Sequence, residues 1–322
     1  MDRRTRGTYE ARRSAGIDAA RHDADAAQDG VDGTRDRVAS RSDPDAARDS
    51  ADAAPRALVR QIDARRVILF AGAGISAGLG LPTWQDFIGQ LGAEVGFEPD
   101  EFLALSSDFR SLAEFYRLEK SSLDDLCRKM ASDWSVRDEQ LAASRTHELI
   151  VRLDFPVVYT TNYDHLLERA YDLEGKRFNK VVTAGDLARI DRALPTIVKF
   201  HGDLDDPASM VLAETDYMRR LAFEQPLDLK LTADAFGNAV LFIGYSVSDI
   251  DLRVLLFRLH GIWLASGCEQ SRPRSYVLMT KPNRVQERIL DSWGVTPLIA
   301  AEAGEKNGVT RFLERLCALS GR

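Results

Sequence analysis

Cysteine is scarce in this chain of 322 residues: Cys127, Cys268 and Cys317 are the only three. They stand far apart with no CxxC spacing. That excludes a four-cysteine zinc site and a disulfide framework, and it suits a reducing, cytoplasmic setting. No apolar run approaches the roughly 18 residues needed to cross a bilayer, so no membrane span is expected. Neither sign of charge dominates, with 43 basic against 50 acidic side chains and a formal net charge of −7. Without clustered Lys and Arg, a general nucleic-acid surface is not expected. A G-K-[ST] signature is missing as well, which excludes an ATPase P-loop. What is present, 44% hydrophobic and 29% charged residues, is an ordinary globular composition.

The first 54 residues are short of nearly everything a core requires. They hold 12 acidic residues and 10 arginines, no lysine, no leucine, and Tyr9 as the sole aromatic. Such a segment buries too little apolar area to offset chain entropy. Residues 1–54 are therefore expected to be a disordered leader, the alternative being an oligomerisation or partner-binding arm. They contain no apolar stretch of the kind a secretory signal needs.

From Pro55 onward the pattern is regular, and residues 55–322 read as one α/β domain. A helix is expected over about Arg56–Arg65. Strands are expected at 67–70 (VILF), 157–161 (VVYTT), 198–202 (VKFHG), 239–246 (AVLFIGYS) and 275–280 (SYVLMT). Their uniformly apolar character, with helical segments between them, predicts a buried parallel sheet. Between the first two strands, a helical insert over about 82–152 is longer than one crossover needs, and it is expected to form a small cap. In open sheets of this kind ligands bind at the carboxyl ends of the strands.

Polar motifs stand at four of those ends. The first is Gly72-Ala73-Gly74-Ile75-Ser76, directly after Ala71. Its small residues would let backbone N–H groups approach a phosphate. The spacing Gly72-x-Gly74-x-x-Ala77 also fits a loose dinucleotide fingerprint. The acidic residue usual about 20 positions later is missing, because Glu94 sits in a helical pattern, and this disfavours a dehydrogenase. A tight turn without ligand is the alternative. The second motif, Thr160-Thr161-Asn162-Tyr163-Asp164, offers several short polar groups where a cap of the next helix would need one. The third, His201-Gly202-Asp203, offers a general base near neutral pH, against the alternative of a structural histidine. The fourth is Gly244-Tyr245-Ser246-Val247-Ser248-Asp249. There Ser248 or Asp249 can cap a helix while Ser246 is left for a ligand.

In this order and spacing, GAGIS, TTNYD, HGD and GYS resemble the Sir2 family, over roughly Leu69 to Thr280. The chain looks like the bacterial branch of that family whose members consume NAD in antiphage defence. The resemblance implies a Rossmann-like parallel sheet that takes NAD as substrate, without a metal, and hydrolyses it to nicotinamide and ADP-ribose. It assigns Ala71, Gly72, Ala73, Gly74 and Ser76 to the pyrophosphate and Asn162 to the nicotinamide ribose and the attacking group. Asp164 falls to the nicotinamide side, His201 to the ribose hydroxyls as base and Ser246 to the adenosine side, with Thr161 and Gly244 also binding the cofactor.

The departures are informative too. Thr161 replaces the family's glutamine and Tyr245 its threonine. Gly80-Leu81-Pro82-Thr83-Trp84-Gln85 stands where deacetylases of the family read G-I-P-D-F-R. The family's structural zinc needs two cysteine pairs after HG, where this chain has only Cys268 and Cys317, about 50 residues apart. Deacylation is thereby disfavoured. A non-catalytic NAD or ADP-ribose sensor and an ADP-ribosyltransferase remain as alternatives. No sensor domain is recognisable, so the resemblance further implies a homo-oligomer or a separately encoded sensor or ATPase partner.

Overall fold

The computed structural model describes residues 44–245, 250–300 and 307–322. Seven strands among them form one sheet: β1 (Val67–Ala71), β2 (Val157–Thr160), β3 (Asn179–Val181), β4 (Thr196–Lys199), β5 (Ala239–Ile243), β6 (Ser275–Met279) and β7 (Val295–Ile299). Their order is β3-β4-β2-β1-β5-β6-β7, and every pairing is parallel. The α/β class and the Rossmann-like parallel sheet expected from the sequence are those observed.

Alternate residues of the central strands supply two separate cores. Val67, Leu69, Val158, Ile197, Leu241 and Tyr276 face the helices that carry Leu58, Leu149, Tyr171 and Leu313. Ile68, Phe70, Tyr159, Val198, Phe242 and Val277 face Leu231, Leu256, Leu259 and Leu290 on the other side. Because both faces are covered, the strands are apolar throughout and not alternating.

Two strands escape the sequence pattern, and both lie at sheet edges. β3 spans three residues, and Asn179 and Lys180 within it are only half-buried. β7 contains Pro297, which lacks an N–H and is tolerated because β7 pairs with β6 alone. The first helix also differs from expectation. It runs Pro44–Asp63, continuous through Pro55, so residues 44–54 are helical, and Ala54 packs against the core beside Leu58. The remainder of the leader, 1–43, lies outside the described residues.

The insert forms its own cluster, in which Phe87, Ile88, Leu91, Phe102, Leu112, Tyr116 and Leu126 are buried together. Tyr163, Leu204, Met210 and Leu212 complete that cluster, so the insert rests on the loops that follow β2 and β4. The insert is shorter than the 82–152 expected, since the helix Arg145–Leu153 packs on the sheet through Leu149, Ile150 and Leu153.

That helix carries His147, fully buried, with Nδ1 2.8 Å from the Ser144 hydroxyl. Burial pushes its imidazole down to about 4. In the unfolded chain the same ring takes a proton near pH 6.5. The unfolded state thus binds more protons between pH 6.5 and 4, and stability falls as the pH falls through that window. A shift of this size corresponds to roughly 3 kcal/mol between the two limits. Urea unfolding at pH 7 and pH 4.5 should show a steeper acid loss for the parent chain than for His147→Gln. Parallel losses would remove His147 from the account.

Candidate functional site

The chain leaves β1 for β2 on one side and returns later to β5 on the other. The carboxyl ends of β1 and β5 therefore bound the topological switch point, where open α/β sheets bind ligands. The first and fourth motifs follow these two strands, and the second and third follow the adjacent β2 and β4. All four leave the same edge of the sheet.

The glycine turn is tighter than expected. Gly72 N–H donates to the Ile243 carbonyl and Gly74 N–H to the Gly244 carbonyl, both at 2.9 Å. Ile75 and Ser76 donate back to Gly72 and Ala73. These amides are bonded within the protein and are not free donors for a phosphate. A Cβ on Gly72 would lie 2.8 Å from the Gly244 carbonyl oxygen and 2.9 Å from the Tyr245 ring, so glycine is required for the approach of the β1 and β5 ends. Ala71 ends β1 buried, its carbonyl accepting the Thr161 amide at 3.3 Å. Ala73 and Gly74 are exposed at the mouth of the turn. Two 3-10 turns follow, Ala73–Ile75 and Ala77–Leu79.

Ser76 is buried, and its hydroxyl accepts from Asn162 Nδ2 at 3.4 Å. The first and second motifs thus meet through their side chains. Asn162 is itself buried, and its backbone N–H donates to Thr160 Oγ1 at 3.0 Å. The two departures from the family pattern also meet: the Thr161 hydroxyl lies 2.8 Å from the Tyr245 hydroxyl, which further donates to the Ala71 carbonyl at 3.3 Å. A third departure, Thr83, caps the first helix of the insert (Trp84–Glu94) by accepting the Asp86 amide, and Trp84 stands edge-on to Tyr163 at 6.3 Å.

Asp164 is buried, and one of its oxygens accepts the Leu166 amide at 3.0 Å at the start of the helix Leu166–Leu173. The capping alternative therefore holds for that oxygen. Burial raises its carboxyl above the usual carboxylate range, opposed by the nearby Lys199 ammonium.

His201 follows β4, whose Lys199 is in register with Thr160 of β2. Its ring is stacked on Phe200 and edge-on to Tyr217, at 5.8 and 5.5 Å. Desolvation, helped by the Arg220 charge, holds the imidazole well below its ordinary pKa. It is neutral at pH 7, as a proton acceptor must be. Arg220 lies over the Phe200 ring and pairs with buried Asp228. Tyr217 and Arg220 belong to the helix Glu214–Arg220, which the insert grips through Ser111–Glu214 at 2.7 Å and Arg117–Asp216 at 2.8 Å. Gly244 has φ +74, close to Gly72. Ser246, with Val247 to Asp249, lies outside the described residues.

Sequence reasoning missed a charged cluster beneath these loops. Lys199, Glu168 and Asp203 are buried there, with Lys180, His165 and Asp205 around them. One signal was readable: a lysine inside the apolar run TIVKF, since lysine is almost never fully buried without a partner. The cysteines are dispersed as expected, with Cys127 in the insert, Cys317 in the sheet core and Cys268 exposed.

A parallel sheet with its polar loops gathered at a capped switch point defines a Rossmann-like α/β protein. Residues 156–298 match the SIR2-like domain family. Over that span the chain is similar to SIR2-like domains, and it is also similar to several bacterial proteins. It is 28% identical over 228 residues to the NAD(+) hydrolase ThsA of Acinetobacter baumannii (strain 532279), covering 70% of this chain and 45% of that protein. It is 28% identical over 226 residues to the NAD(+) hydrolase ThsA of Bacillus cereus (strain MSX-D12), with the same coverage of 70% and 45%. Against defense-associated sirtuin 2 of Bacillus subtilis it is 24% identical over 266 residues, 79% of this chain and 25% of that protein. The chain thus spans less than half the length of these relatives. No helix among the described residues is long and apolar enough to cross a membrane.

Proposed function

We propose that this chain hydrolyses NAD to nicotinamide and ADP-ribose, as an effector of antiphage defence that acts by depleting NAD. The relatives named as NAD hydrolases support the reaction. The observation that carries it to particular residues is the meeting of Asn162 with Ser76 at the switch point, beside the strand that delivers a neutral His201.

The reaction asks little of the protein. The bond between ribose C1′ and the nicotinamide nitrogen breaks, both electrons leaving with nicotinamide, and positive charge develops on the sugar ring. Water then bonds to C1′ and loses one proton. In this reading the dinucleotide lies across the exposed Ala73–Gly74 mouth with its nicotinamide ribose at Asn162. The Asn162 amide orients the attacking water, and proximity of this kind is worth several powers of ten. His201 accepts a proton from a ribose hydroxyl as that charge develops and returns it once water has added, Asp164 and Thr161 lie on the nicotinamide side, and Gly244 lies on the adenosine side. The insert, seated on Tyr163 and Leu204, keeps bulk water from the reacting carbon. No step needs a metal.

An uncontrolled enzyme of this kind would drain a cofactor its own cell depends on. Control by self-assembly or by a separately encoded sensor belongs to the same reading, with turnover per chain rising as the protein is concentrated. Turnover in water enriched in oxygen-18 tests the hydrolysis itself: the label should appear at C1′ of ADP-ribose. Nicotinamide release with ADP-ribose attached to a protein or nucleotide instead would make the chain a transferase. NAD binding without nicotinamide release would make it a sensor.

A further inference from the structure

Lys199, the last residue of β4 and two positions before His201, has no exposed surface at all. Burying an ammonium is costly unless its charge and its hydrogen bonds are both met. Both are met here by groups from separate elements. The ammonium donates to the Asp164 carbonyl and, at 3.4 Å, to the Tyr163 carbonyl, both in the loop that carries Asn162. Its charge is balanced by Glu168 at 3.1 Å, on the helix after that loop, and by Asp203 at 3.7 Å, in the loop that carries His201. Asp203 is fixed in turn by Lys180 of β3 at 2.8 Å and by His165 at 2.9 Å. Burial alone would raise the Asp203 carboxyl, but His165, Lys199 and Lys180 outweigh it and hold the group ionised. Of these charged groups only Asp203 stands in one of the four sequence motifs, and its carboxylate also accepts the Asp205 amide at 2.9 Å. Yet the cluster joins two of those motifs.

We propose that Lys199 is a positioning residue for the NAD cleavage put forward above: its ammonium ties the carbonyls of Tyr163 and Asp164 to the strand that delivers His201, and so sets the placement of Asn162 relative to the histidine. The proposal rests on that reading for its catalytic consequence and on the geometry of the two loops for its structural one. A purely structural role is the competing account. Buried ion pairs can usually be replaced by neutral groups without loss of stability, provided both charges go together. That gives a way to separate the two accounts.

Lys199→Met alone removes the ammonium and leaves Glu168 and Asp203 buried without it, so this variant is expected to lose stability. Lys199→Met combined with Glu168→Gln keeps the cluster balanced, and its melting temperature should return close to that of the parent chain. If Lys199 positions the loop, the combined variant still has a kcat lower by about 10²-fold, the scale of an ångström-sized misplacement. Its KM for NAD should stay within about threefold, because the ammonium touches no substrate. Amide hydrogen exchange over residues 162–166 should quicken about tenfold at unchanged global stability. A stable combined variant with parental kcat overturns the proposal.

Should the parent chain itself release no nicotinamide, the catalytic reading fails on its own. The exchange rates then decide: unchanged exchange at 162–166 in the stable combined variant overturns the positioning role. One measurement needs no variant to fold. A lysine-selective nitrogen-15 spectrum of the parent chain should show an ammonium protected from solvent exchange, and its absence overturns the proposal as well.

Discussion

Asn162→Ala should lower NAD turnover by about 10³-fold, the scale of losing a group that aligns a nucleophile or stabilises developing charge. The fold should survive. Asn162 gives up one long side-chain contact to Ser76, at 3.4 Å, while its backbone bond to Thr160 is untouched. A loss of that kind costs about 1 kcal/mol. The measurement is nicotinamide release at saturating NAD, paired with a urea unfolding curve for each protein. Parental turnover in the variant would show that water is aligned by another group. A collapse of stability would instead mean that the amide is structural, and then the rate could not be read.

Gly202→Ala should be among the most damaging single substitutions in the chain, although it adds one methyl group. Gly202 has φ +94, where an L side chain is strained. The new Cβ would lie 2.4 Å from the Ser209 carbonyl oxygen and 2.7 Å from Met210 Cα. These are backbone atoms, and they are held in place on either side of the glycine. Val211 N–H donates to the His201 carbonyl at 2.8 Å, and Asp203 N–H to Ser209 Oγ at 3.0 Å. Strain and overpacking together should cost about 3 kcal/mol or more. Gly78→Ala is the comparison, because a Cβ there meets nothing within 4 Å. That change should stay within about 0.5 kcal/mol. Equal urea midpoints for the two variants would refute the packing argument. The glycine of HGD is thus required by the return of residues 209–211 against the loop, and it places the histidine beside it.

Strand identity was legible because a sheet covered on both faces leaves a continuous apolar run, as in VILF and AVLFI. The edges were not, because an edge strand has fewer neighbours to select its residues: Asn179–Val181 is short, and Val295–Ile299 tolerates Pro297. The helix through Pro55 escaped because proline is read as a boundary, whereas Ala54 before it packs against the same core as Leu58, Val59 and Ile62. At the site, the four motifs were legible as polar residues ending apolar strands. Their mutual contacts were not. That the Gly72 and Gly74 amides are bonded to the end of β5 follows from strand order, which periodicity does not reveal. The pairing of Thr161 with Tyr245 joins positions 84 residues apart. The charge cluster around Lys199 draws on β3, β4, the helix Leu166–Leu173 and the loop after β4, which become neighbours only in the folded chain.

The most direct measurement is to incubate the concentrated, purified chain with NAD and quantify both products over time. The account predicts nicotinamide and ADP-ribose in equal amounts, at a rate that Asn162→Ala lowers about 10³-fold. Intact NAD at every protein concentration, with the parent chain folded and NAD bound, would contradict it.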